Sequence, residues 1–179
     1  MAVLDSEGLR PTPDRVRETL FNWLNHLLDG NWEAVRCLDL FAGTGALGFE
    51  AASRGAQDVT MIEHNTPAVR QLEATKIKLD ASQVRILRSD AATWLSKAGA
   101  EAGRYDLIFL DPPYQQGWLE KILPLCQGLL AEQGLLYLEA EFALEADALP
   151  SWLGGWQLLR ADKAGMVFYH LLKRQATSV

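Results

Sequence analysis

The stretch Arg36 to Gly48, Arg-Cys-Leu-Asp-Leu-Phe-Ala-Gly-Thr-Gly-Ala-Leu-Gly, constrains the fold more than any other part of the chain. Cys37 to Ala42 is a mostly apolar run of strand length. Gly43, Gly45 and Gly48 then fall at the spacing G-x-G-x-x-G, and Phe49 to Arg54 reads as helix. Strand, glycine turn and helix in that order form a nucleotide-type binding corner. Gly43 and Gly45 lack a Cβ, so the backbone can bend there and a ligand can come close. Gly48 lets helix and strand pack tightly, and the helix N-terminus offers free N–H groups. The same spacing also fits a dinucleotide site, an S-adenosylmethionine (SAM) site or a plain tight turn.

Two further features narrow the choice. Asp39 lies in an otherwise apolar strand, four residues before Gly43, where an unpartnered carboxylate is costly to bury. Asp111-Pro112-Pro113-Tyr114 follows a second apolar strand, Tyr105 to Leu110. Asp-x-Phe-x-Gly-x-Gly followed by Asp-Pro-Pro-Tyr resembles the first and fourth motifs of SAM-dependent amino-group methyltransferases.

The rest of the chain reads as alternating strands and helices. Thr12 is an expected N-cap with Pro13 at the first helical position. Val16, Leu20, Trp23, Leu24, Leu27 and Leu28 recur at helical spacing before Gly30. Asp58 to Glu63 reads as the second strand, and Thr66 as the cap of a helix with Pro67 at its first position. Val84 to Leu87 reads as the third strand, followed by Asp90, Ala91 and a helix through Trp94 and Leu95. A helix over Gly117 to Leu130 with an irregularity at Pro124, a strand over Gly134 to Glu139 and a short helix over Ala143 to Leu149 follow. Trp156 to Arg160 and Met166 to Leu172 pair as a hairpin turning near Lys163, Ala164 and Gly165. This order predicts an open, mainly parallel sheet with helices on both faces. Asp39 to Gly45, Glu63, Asp90 and Asp111 then gather at the carboxyl ends of the strands, where such sheets bind ligands.

Glu63 lies about 20 residues past the glycines, at a spacing suited to ribose hydroxyls; a solvated acid at a strand end is the plainer alternative. Asp90 can cap its helix or face an adenine amino group, and Ala91 can offer its backbone N–H. In a SAM site Asp39 faces the methionyl ammonium, with Phe41, Gly43 and Gly45 forming the rest of that wall. The acceptors of Asp111 and Pro112 suit an sp² amine, whose lone pair must be drawn out of conjugation. Pro113 stiffens the turn, and Tyr114 offers a face on which a splayed-out base can stack.

With 179 residues, 49% hydrophobic and 22% charged, the chain can bury the core of one domain. Its net charge of −6 speaks against a general nucleic-acid binder. The charge is uneven, with Arg10, Arg15 and Arg17 clustered near the start, where a local basic, substrate-binding face is expected. Cys37 and Cys126 lie in apolar runs and read as buried thiols in a reducing compartment. Three scattered histidines and two cysteines give no metal spacing. No signal peptide and no bilayer-length apolar run is seen, so a soluble cytoplasmic protein is expected.

Arg10 to Leu24, Leu38 to Gly48, Ile62-Glu63 and Phe109 to Tyr114 together resemble the bacterial RsmD family. The opening Arg-Pro-Thr-x-Asp-Arg-Val-Arg-Glu block is its most specific part. The resemblance implies a Rossmann-like class I SAM-dependent methyltransferase fold in one domain spanning 1–179. That fold is a mostly parallel seven-stranded sheet ending in an antiparallel hairpin, with residues 1–30 covering the cofactor edge and 31–179 forming the core. It also implies SAM as cofactor and methyl transfer to the N2 amine of a guanine in small-subunit (16S) ribosomal RNA, within a partly assembled 30S particle. Family members carry a basic, glycine-containing segment ahead of this block; here nine residues precede Arg10 and none is basic. An adenine-N6 DNA methyltransferase, an NAD-dependent oxidoreductase and a non-catalytic assembly factor are the rival readings. The first usually needs a target-recognition region for which there is no spare length. The second needs a substrate domain or a catalytic Tyr/Lys or His arrangement, and the third would not need the intact Asp111 to Tyr114 motif.

Overall fold

The computed structural model describes residues 12–101, 103–113 and 117–175. Seven strands form one sheet: β1 (Arg36–Asp39), β2 (Asp58–Glu63), β3 (Val84–Arg88), β4 (Tyr105–Leu110), β5 (Leu130–Ala140), β6 (Trp156–Ala164) and β7 (Val167–Arg174). Their order is β3-β2-β1-β4-β5-β7-β6. The first five strands run parallel, and β7 enters antiparallel between β5 and β6. Crossover helices α2 (Ala46–Ser53), α3 (Thr66–Lys78), α4 (Ala91–Ser96) and α5 (Trp118–Gln127) link the parallel strands, and α1 (Asp14–Leu27) precedes β1.

Strand alternation divides the core into two layers. Cys37, Met61, Phe109, Tyr137 and Leu171 face α1, α2 and α3, which contribute Leu20, Phe21, Leu24, Phe49 and Leu72. Leu38, Ile62, Ile108, Leu110, Leu136 and Leu138 face α4 and α5, met by Leu95, Ile122, Leu123 and Cys126. Burial on both faces explains why β1, β2 and β4 read as nearly continuous apolar runs. Both thiols are free and buried.

Helix α1 lies on the first face, with Phe21 against Trp32 and Phe109 and Trp23 against Tyr169 of β7. Trp23, in the second half of α1, thus lies near the end of β5, because Tyr169 pairs with Glu139. Residues 1–11 of the 1–30 segment expected to cover the cofactor edge lie outside the described residues.

Several local expectations are corrected. Helix α1 begins at Asp14 with Pro13 at the cap position and no side-chain cap, so Thr12 does not cap it. Asn65, not Thr66, caps α3: its side-chain oxygen accepts from the Ala68 N–H at 2.9 Å, and Pro67 falls at the second helical position. Strand β1 ends at Asp39 rather than Ala42, so Asp39 closes the strand and is not interior to it. Residues 143–149 form turns rather than a helix, because the Leu144 N–H is held across the sheet by His170 Nε2 at 3.0 Å.

Candidate active site

The glycine corner is strapped to both neighbours of β1. The Leu40 N–H donates to the Phe109 carbonyl of β4 at 3.3 Å, and the Ala42 N–H to the Ile62 carbonyl of β2 at 3.0 Å. Gly45 caps α2 at φ +80°, where a Cβ would come within 2.6 Å of the Leu72 and Phe49 side chains. A Cβ on Gly48 would overlap Met61 and approach Asp39 Oδ2 at 3.3 Å. The corner is therefore built on close backbone approach, as the glycine spacing implied.

Glu63 ends β2 and is buried. Its Oε1 accepts the Gly43 N–H at 3.0 Å and its Oε2 the Asn65 N–H at 2.8 Å. The carboxylate thus ties the glycine loop to the second strand, and each oxygen retains a lone pair for a hydroxyl donor. The Ser89 N–H donates to the Glu63 carbonyl at 3.0 Å, which draws the end of β3 beside it. Asp90 caps α4, its Oδ2 accepting the Thr93 N–H at 2.9 Å and the Thr93 hydroxyl at 3.1 Å. Ala91 is the first residue of α4, so its N–H is one of the donors that the helix leaves unpaired.

Asp39 is buried on the same side of β1. Burial pushes its carboxyl up to about 7; the Gly48 N–H opposes this, the Glu63 charge adds to it, the Phe41 N–H opposes it, and the Glu139 charge adds a last contribution. None of these leading influences from the described residues is a cation. A buried acid surrounded by other acids fits a site whose missing charge is positive, as the ammonium of a methionyl group would be. Glu63 at the strand end and the Ala91 N–H fit an adenosine. The donor set therefore accommodates SAM.

Asp111, Pro112 and Pro113 follow β4 directly, with Pro112 buried and Asp111 half-buried. Phe109 pairs with Tyr137 and Leu110 with Leu138, so the next step along the strands sets Asp111 beside Glu139. Phe41 meets Trp118, at the start of α5, edge-on with ring centroids 5.6 Å apart. The glycine corner and the mouth beside Asp-Pro-Pro thus share a wall. A cavity of about 190 Å³ opens there, lined by Pro112, Pro113, Trp118, Glu139, Phe142 and Trp152. Tyr114 lies outside the described residues, as does Arg10.

Of the basic cluster, Arg15 and Arg17 are described, and neither lines the cavity. Arg17 pairs with Asp14 at 2.9 Å on the outer surface of α1. Arg15 is exposed, and its charge is felt by the Tyr169 hydroxyl.

Sequence reasoning missed Glu139 and Tyr137. Glu139 is 4% exposed, and its Oε1 accepts the Tyr137 hydroxyl at 2.6 Å. Burial, then the charge and hydrogen bond of Glu139, then the charge of Asp111 push the Tyr137 phenol up. The signal was available: like Asp39, Glu139 is an acid within an apolar strand sequence. Among the described residues no group of three His, Cys, Asp or Glu side chains is arranged to hold a metal, and no helix is long and apolar enough to cross a membrane.

Residues 1–173 match the family described as "Conserved hypothetical protein 95". The ribosomal RNA small subunit methyltransferase D of Escherichia coli K12 is 41% identical over 178 residues, covering 98% of this chain and 85% of that protein. Its namesake from Haemophilus influenzae is 37% identical over 175 residues, covering 96% and 86%. A solved Escherichia coli structure, yhhF, superposes with a TM-score of 0.81 at 38% identity and covers 99% of this chain and 92% of that one.

Proposed function

The chain belongs to the RsmD family of small-subunit ribosomal RNA methyltransferases, and from that premise we propose that it transfers the methyl group of SAM to the exocyclic N2 amine of a guanine in small-subunit rRNA. The observation that carries this reading is Asp111-Pro112-Pro113 at the carboxyl end of β4, next to the glycine corner of β1. An acceptor-rich, donor-poor turn beside a cofactor corner suits an amine that must be held by its N–H bonds.

Glu63 takes the ribose hydroxyls, Asp90 and the Ala91 N–H take the adenine, and Asp39 faces the ammonium, with Phe41, Gly43 and Gly45 lining the methionyl side. The cofactor supplies a methyl group already activated on a sulfonium. The protein aligns the amine with that methyl and favours the charge that develops on nitrogen. Asp111 accepts one N–H of the amine and the Pro112 carbonyl the other, which turns the lone pair out of the ring plane. As the new N–C bond forms and the C–S bond breaks, the surplus proton leaves the nitrogen toward the Asp111 carboxylate. Pro113 stiffens the turn, and Tyr114 stacks on the flipped base.

The proposed substrate is a partly assembled 30S particle, in which folded RNA and protein supply binding surface that an acidic enzyme lacks. Arg10, Arg15 and Arg17 contact its phosphates. Labelled SAM incubated with small subunits lacking the modification tests the reading. The expected product is N2-methylguanosine in the digested rRNA. Label in N6-methyladenosine, or no transfer to subunits or free rRNA, overturns it.

A further inference from the structure

Glu63, Asp111 and Glu139 stand at one level across the carboxyl edge of the sheet, all on the α1 face. Asp39 lies one same-face row inward, opposite Met61 and Phe109. Glu63 is committed to the glycine loop and Asn65. Glu139 is different. It is more than nine-tenths buried, it lines the cavity that Pro112 and Pro113 line, and its Oε1 is fixed by the Tyr137 hydroxyl. Oε2 makes no hydrogen bond among the described residues. A carboxylate oxygen without a donor among the described residues, on a side chain that lines this cavity beside the turn proposed to hold the reacting amine, is free to accept a donor from the substrate.

We propose that Glu139 is a specificity-determining residue that accepts the N1–H of the target guanine while Asp111 holds the neighbouring N2 amine, so that two adjacent acceptors select guanine over every base with a lone pair at that position. The inference rests on the proposed guanine-N2 activity and assigns a residue to its base selection. Guanine carries contiguous donors, N1–H and N2–H, along its Watson–Crick edge. Adenine sets an N1 lone pair beside its amine, and cytosine an N3 lone pair, and either would face the Glu139 carboxylate with no proton between them. The Tyr137 hydroxyl occupies Oε1 and so leaves Oε2 as the oxygen facing the base. A pocket built around such a hydrogen bond rejects analogues that cannot make it, because its buried polar group is left unpaired.

The base 2,6-diaminopurine separates selection from chemistry, since it keeps the N2 amine but has a lone pair at N1. Small subunits are reconstituted with guanine or 2,6-diaminopurine at the position that the wild type methylates, and kcat/KM is measured for wild type, Glu139→Gln and Glu139→Asp. Each variant's thermal midpoint and SAM affinity are recorded alongside. Wild type is expected to favour guanine by roughly 10- to 100-fold, the discrimination of one good base-edge contact. Glu139→Gln turns an amide N–H toward N1, so its guanine preference should shrink by a similar factor or reverse, with SAM affinity unchanged. Glu139→Asp keeps the acceptor and should retain the preference at lower rate. Equal use of the two bases by wild type overturns the proposal without reference to any variant, and so does an unchanged preference in a folded Glu139→Gln. Both results leave guanine methylation standing, whereas absence of any transfer by wild type to guanine-containing subunits refutes the activity itself.

Discussion

Asp39 gives a prediction whose size follows from its surroundings. Its carboxyl is raised from 3.8 to about 7, chiefly by burial. The folded protein therefore holds a proton that the unfolded chain releases between these two values. Stability is lost as pH rises through that window, the reverse of the usual salt-bridged acid, and the loss is complete above about pH 7. A difference of about 3 units at ~1.4 kcal/mol each amounts to about 4 kcal/mol across the whole window. Roughly 3 kcal/mol of it falls between pH 5 and 8. Asn cannot ionise, yet its carbonyl oxygen still accepts one of the N–H groups offered by Phe41 and Gly48. Urea unfolding of wild type and Asp39→Asn, followed by tryptophan fluorescence at pH 5, 6, 7 and 8, gives the difference curve. Buried His170, whose pKa is lowered chiefly by burial, titrates in both proteins and cancels in that difference. The wild type should weaken relative to Asp39→Asn by roughly 3 kcal/mol over this range. Saturating S-adenosylhomocysteine, whose ammonium favours the ionised acid, should flatten the wild-type curve alone. Parallel curves for the two proteins without ligand would refute the reasoning, because Asp39 would then be ionised at pH 5 despite its burial.

Asp111→Ala should keep SAM affinity, measured by calorimetry, and lose about two to three orders of magnitude in methyl transfer to small subunits, comparable to deleting one transition-state hydrogen-bond partner. Glu63→Ala should weaken SAM binding by roughly 1.5–3 kcal/mol and also lower the thermal midpoint, since the Gly43 and Asn65 N–H groups lose their acceptor. Gly45→Ala combines a positive φ with a Cβ only 2.6 Å from side-chain carbons of Leu72 and Phe49; it should destabilise the fold by at least about 1 kcal/mol in urea titrations, and an unchanged midpoint would contradict the close packing of this turn. Arg17→Ala, which breaks an exposed pair with Asp14, should shift stability by less than about 1 kcal/mol; Arg15→Ala should instead reduce the salt dependence of subunit binding.

Much of the architecture was legible because the strands are buried on both faces. Asp58–Glu63 and Tyr105–Leu110 agree with the expected boundaries, each being an apolar run with polar neighbours at its ends. The glycine spacing located the turn, and acids at strand ends located the edge where Glu63, Asp90 and Asp111 meet. What escaped depended on contacts between distant residues. The segment 143–149 has helix-forming residues, but it is pinned by His170 from β7, and no local propensity reveals that bond. Asn65 outcompeted Thr66 because its amide oxygen reaches the third residue on, a choice between two good caps. Glu139 gains its meaning from the register of β5 against β4, which brings it beside Asp111. No periodicity within either strand fixes that register.

Strand β7 is the last regular element in chain order among the described residues, yet it pairs with β5 along Leu135 to Ala140. During synthesis β5 therefore emerges with one edge open, and Tyr137 and Glu139 stay on an unfinished border until β7 arrives. The backbone of β5 must wait for Val167–Arg174, close to the end of the described chain, before its N–H and C=O groups on that side are paired. A nascent chain halted before β7 would already hold the glycine corner and β1 to β4, and so the residues proposed to meet the cofactor. It would still lack the finished wall proposed to meet the base. The wall proposed for the methyl donor is thus complete in chain order before the wall proposed to choose a nucleotide.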